Sequence, residues 1–80
     1  MDSIIISVIK DGKSFEFEAQ FSSSAYTYRF VIQVDDQEIY FEPDEERNLR
    51  AVVPAGIELK SQQLELVKLI GVKLESILNQ

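Results

Sequence analysis

The chain reads as an α+β domain, an antiparallel meander sheet of about five strands with one C-terminal helix packed on one face. Three observations predict it. Phe15, Phe17, Ala19 and Phe21 alternate with Ser14, Glu16, Glu18 and Gln20, the period-two pattern of a half-buried strand. Beyond Pro54 the rhythm changes, and Leu64, Val67, Ile70, Leu74, Ile77 and Leu78 recur at helical spacing. The connections between the apolar runs are short, which favours strands paired in sequence order.

The first strand covers 4–10. Asp11-Gly12 follows, a tight hairpin signal because both central turn residues need positive φ. Pairing Lys10 with Lys13 sets Val8 against Phe15, Ile6 against Phe17 and Ile4 against Ala19, all on one face. The second strand covers 14–21 and ends in Ser22-Ser23-Ser24-Ala25. The third covers 26–34, with Phe21 expected opposite Tyr26 and Phe17 opposite Phe30. Asp35-Asp36 supplies the next turn, since Asp tolerates the left-handed region, and it leads to a fourth strand at 38–42. Pro43 stops that strand, and the turn through Arg47 leads to a fifth at 48–53, with Leu49, Ala51 and Val53 inward. Pro54-Ala55-Gly56 breaks the chain, and Ser61 is the expected N-cap of a helix over 61–78. Gly71 falls on the side of that helix facing the sheet, where close packing against an aromatic ring is expected.

Eighty residues make one domain, which buries only about 60% of its unfolded surface. There is no Cys and no His, so disulfides, thiolate or imidazole metal sites, and triads built on those residues are excluded. Gly12, Gly56 and Gly71 stand apart and form no phosphate loop. The net charge is −6, and the basic residues are scattered, which argues against nucleic acid. No apolar run is long enough to span a bilayer, and the acidic start does not read as a signal peptide. A cytoplasmic protein with no cofactor and no membrane contact is the expectation.

Carboxylates are the remaining chemistry. Glu42, Asp44, Glu45 and Glu46 form an acidic patch, but a turn tip is wet, and wet carboxylates make poor general acids at neutral pH. The segment also lacks the central Gly and spaced ligands of an EF-hand loop. No catalytic, cofactor or metal residue is therefore assigned, and a non-enzyme is expected. Phe41-Glu42-Pro43-Asp44-Glu45-Glu46, with Asn48, Arg50 and Ala51, resembles a stretch in small uncharacterised bacterial proteins of similar size. The resemblance implies a shared fold, with the segment between two strands ahead of a terminal helix, and implies no activity.

Two surfaces then stand out. On the helix, Leu69 and Val72 fall among polar residues and form an apolar spot beyond what one buried face requires. On the outer sheet face, Val31 and Tyr40 are the centre of a second patch, while Arg29 is expected between Glu18 and Glu42. These residues are the candidate interface of a small non-catalytic interaction module, self-associating as a homodimer through the outer helix face or binding another protein. The alternative is an acidic adaptor or inhibitor on a basic protein surface, with Glu16, Glu18, Glu38, Glu42, Asp44, Glu45 and Glu46 supplying the field.

Overall fold

A computed structural model describes residues 2–23, 25–46 and 48–78; Ser24 of the predicted loop and Arg47 of the predicted turn lie outside them. The strands are β1 (Ser3–Lys10), β2 (Lys13–Ser23), β3 (Tyr28–Val34), β4 (Gln37–Pro43) and β5 (Leu49–Val52), followed by helix α1 (Ser61–Leu78). They form one antiparallel sheet in the order β1-β2-β3-β4-β5, so β1 and β5 are its two edges. The predicted meander and terminal helix are the observed fold.

The tight turns set two of the registers. Asp11 and Gly12 both have positive φ (53° and 76°), and Lys10 pairs with Lys13, Val8 with Phe15 and Ile6 with Phe17, as the sequence predicts. Asp35 and Asp36 do the same for β3 and β4 (48° and 69°), where Val34 meets Gln37 and Phe30 meets Phe41.

The register between β2 and β3 differs from expectation. Phe21 faces Phe30 rather than Tyr26, a shift of four residues, and Ala19 faces Ile32. The cause is that β2 runs on to Ser23 and β3 starts only at Tyr28. An even shift leaves every inward residue inward. Tyr26 is then freed into the connection, where it is 98% exposed. Phe21, Tyr28 and Phe30 gather into an aromatic cluster, with ring centroids 5.4–6.1 Å apart. The small side chain of Ala19, fully buried, leaves room for Ile32 beside it.

The core is wholly apolar: Ile6, Val8, Ala19, Phe30, Ile32, Val34, Ile39 and Phe41 from the sheet meet Leu66, Val67, Ile70 and Leu74 from the helix. The helix lies against both edge strands, β1 and β5. Gly71 faces the Phe41 ring as predicted, but a Cβ there would stand 3.5 Å from it, an ordinary contact.

The helix start is held differently from expectation. The Lys60 carbonyl accepts from the Leu64 N–H (2.9 Å), which makes Lys60, not Ser61, the capping position. Gln63 Oε1 accepts from the Lys60 N–H (2.8 Å), the backward half of a capping box. Gln63 Nε2 donates to Asp35 Oδ2 (3.3 Å) and ties the helix to the β3–β4 hairpin. Upstream, Ile57 N–H donates to the Pro54 carbonyl (3.3 Å) with Gly56 at φ +85°, a type II turn that redirects the chain after β5.

Candidate functional site

The helix pair expected to meet a partner is split. Leu69 is half-buried and packs against the core cluster, while Val72 is 67% exposed. The helix is rotated so that its Leu69 flank lies over the protein, and a single exposed valine is ordinary surface. Val31 and Tyr40 are cross-strand partners on the outer face, both half-buried. Arg29 keeps its expected place beside Glu42, because the β3–β4 register is the predicted one, but it does not face Glu18. The shifted register places it opposite Ser22, and its guanidinium carbon sits 4.7 Å from the centroid of the Tyr40 ring. A cation–π contact of this kind contributes about 0.5–1 kcal/mol, and it covers the patch that Tyr40 was to offer.

The acidic patch is a turn before it is a site. Asp44 Oδ1 accepts from the N–H groups of Glu46 (2.8 Å) and Asn48 (2.9 Å), and the Asp44 N–H donates to the Asn48 carbonyl (2.8 Å). Its carboxylate therefore organises the reversal between β4 and β5. Glu45 and Glu46 point into solvent, and Glu42 pairs across the ladder with Arg50. Among the described residues, no three acidic groups converge in a way that could hold a metal.

At the opposite end, Lys10 Nζ contacts Asp11 Oδ2 (2.8 Å) and Glu65 Oε2 (3.3 Å). The hydrogen bond it donates to Asp11, reinforced by Glu65, holds the Lys10 ammonium above its usual pKa. Its stem is covered while its head reaches the surface, and the bridge to Glu65 pins α1 to the end of β1. An open hollow next to it is lined by Phe15, Phe17, Gln63 and Leu66. Gln63 and Asp35 there are engaged with each other, so the hollow offers no paired acid and base.

The surface that sequence reasoning passed over is the free edge of β1. The Phe21 N–H donates to the Asp2 carbonyl (2.9 Å), so Asp2 and Phe21 form a hydrogen-bonded pair. Alternation along an antiparallel ladder then assigns Ile4, Ile6, Val8 and Lys10 to bonds with β2. The N–H and C=O groups of Ser3, Ile5, Ser7 and Ile9 point outward, and among the described residues no strand lies beyond them. The side chains of the same residues lie on the outer sheet face, where Ile5 is 63% and Ile9 70% exposed. From Ser3 to Ile9 there is no charge and no proline, and the register runs without a bulge. A signal was present: an uncharged first strand in a meander must lie at an edge.

No family model matches the chain, and no curated protein or solved structure shows significant similarity to it. Among the described residues, no helix is long and apolar enough to cross a membrane.

Proposed function

We propose that the chain is a small non-catalytic protein-interaction module whose contact is the free edge of β1. The observation that carries this reading is the coincidence, on the same residues, of outward backbone donors and acceptors with exposed isoleucine side chains. Native sheets guard such edges with lysine, proline, bulges or shortness, and β1 has none of these between Ser3 and Ile9. Strand addition at an edge draws affinity from backbone hydrogen bonds and selectivity from the alternate side chains. The outer helix face, with Leu69 engaged in packing, is the weaker contact. The test is a native pull-down with the wild-type chain and the Ile5→Lys/Ile9→Lys variant. Proteins captured by the first and lost by the second support the reading; capture unchanged by the two lysines contradicts it.

A second reading, the acidic adaptor or inhibitor on a basic protein, draws on the outer sheet face. Glu16 and Glu18 on β2 and Glu38 on β4 are exposed there, and among the described residues the ion pairs involve Lys10 rather than these acids. It expects an association rate that falls steeply with salt. Capture indifferent to salt counts against it.

A further inference from the structure

We propose that β1 pairs antiparallel with β1 of a second copy about a two-fold axis at Ser7, joining the two sheets edge to edge. The proposal rests on the reading that the β1 edge is the contact, and it names the occupant.

The edge is self-complementary. A two-fold pairing that keeps inward residues inward must set odd-numbered positions of β1 against odd-numbered ones. With the axis at Ile5, that residue meets itself and Ile9 is left beyond the strand. With the axis at Ile6, Ile5 meets Ser7 and Ile9 meets Ser3. With the axis at Ser7, Ile5 meets Ile9 of the second copy, Ile9 meets Ile5, and the two serines meet at the centre. Only this register sets the most exposed apolar side chains of the strand against each other. On the inner face it also brings Ile4, which is 38% exposed, against the aliphatic stem of Lys10 in the second copy. Ile5, Ser7 and Ile9 of both copies then exchange about six backbone hydrogen bonds.

From Ser3 to Ile9 the edge is also uncharged. β1 is preceded by Asp2 and ends at Lys10, with Lys13 just past the turn. In the Ser7-centred register Asp2 of one copy comes beside the Asp11-Gly12 turn of the other, where Lys10 is already paired with Asp11 and Glu65. Between these ends, Ser3–Ile9 carries no charge on a chain of net charge −6, so no like charges stand directly opposite each other along it.

Such a contact closes on itself. An isologous contact consumes β1 in both copies, and the edges that remain are the two β5 strands, each only four residues long. The assembly therefore stops at a dimer.

The experiment is sedimentation equilibrium on the full chain across the micromolar range, with two double variants whose thermal melting is checked first. Both substituted side chains are on the exposed outer face, so the fold is retained. The wild type is expected to dimerise. Ile5→Lys/Ile9→Lys opposes like charges twice in the Ser7-centred register and should raise the dissociation constant at least about 100-fold. Ile5→Lys/Ile9→Glu opposes unlike charges in that register and should stay within about tenfold of wild type. A dimer weakened equally in both variants overturns the Ser7 register. A dimer indifferent to both overturns the β1 contact itself. A wild type that stays monomeric overturns self-pairing, while the edge-binding reading is then judged separately by the pull-down.

Discussion

The two edge strands, β1 and β5, face the same physical problem, a row of backbone groups with no neighbour, and they answer it differently. β5 has four residues, carries Arg50, and is closed off by Pro54; alternation leaves only Leu49 and Ala51 of the strand to face the open side. It is a guarded edge. β1 has eight residues, no guard between Ser3 and Ile9, and isoleucines beside its open backbone groups. The sheet is thus asymmetric: one edge is short and guarded, the other long and unguarded. The difference teaches that the inner face of a strand and its free edge can serve separate purposes. In β1, Ile6 and Val8 belong to the core while Ser3, Ile5, Ser7 and Ile9 lie exposed on the outer face.

The contrast sets a scale for substitutions. Ile6→Ala, which empties a fully buried site on β1, should cost about 2–5 kcal/mol in urea unfolding. Leu49→Ala, on a half-buried position of β5, should cost no more than about half as much. Equal losses would show that the two edges contribute alike to the core. Next in size is the helix where it lies over Phe41. Gly71 has room for a methyl group and no positive φ, so Gly71→Ala should raise stability by about 1 kcal/mol through helix propensity. A loss instead would mean that the Phe41 ring cannot yield to the added methyl group.

The two hairpins differ as the edges do. The β1–β2 turn has Gly12 at its second positive-φ position, whereas the β3–β4 turn holds Asp36 there at φ 69°. Asp36→Gly should therefore stabilise by about 0.5–1 kcal/mol, and Gly12→Ala should destabilise by about 1 kcal/mol or more, both read by thermal melting. The smallest effect concerns Lys10. Its pKa is raised in the folded chain by the Asp11 hydrogen bond first and by Glu65 second. Its contribution is therefore complete below the unfolded lysine value, near 10.5, and is lost as pH rises through the higher folded value. Stability should not respond to Lys10→Met through titration between neutral pH and mildly alkaline pH, and the difference between the two proteins should narrow only in the strongly alkaline range.

How far the sequence carried differs by region for physical reasons. Asp11-Gly12 dictates a two-residue turn, so the β1–β2 register could be read from it. Ser22-Ser23-Ser24-Ala25 dictates no turn type, and a shift of four residues keeps every face unchanged, so alternation could not reject the wrong β2–β3 pairing. That one shift also set Ser22 rather than Glu18 opposite Arg29, whose guanidinium lies over Tyr40. On the helix, periodicity marked Leu69 and Val72 as surplus but could not fix the rotation that buries part of Leu69. The β1 edge was legible in principle, from Ile4–Ile9 lacking charge and proline in the first strand of a meander. It was passed over because isolated exposed isoleucines are ordinary until the open backbone beside them is known.

Backbone amide exchange, followed residue by residue at two protein concentrations, tests the central claim most directly. The account predicts that the outward amides of Ile5, Ser7 and Ile9 exchange at least about tenfold more slowly in the concentrated sample, while those of Leu49 and Ala51 on β5 do not change. Exchange at Ile5, Ser7 and Ile9 that is fast and independent of concentration would contradict it.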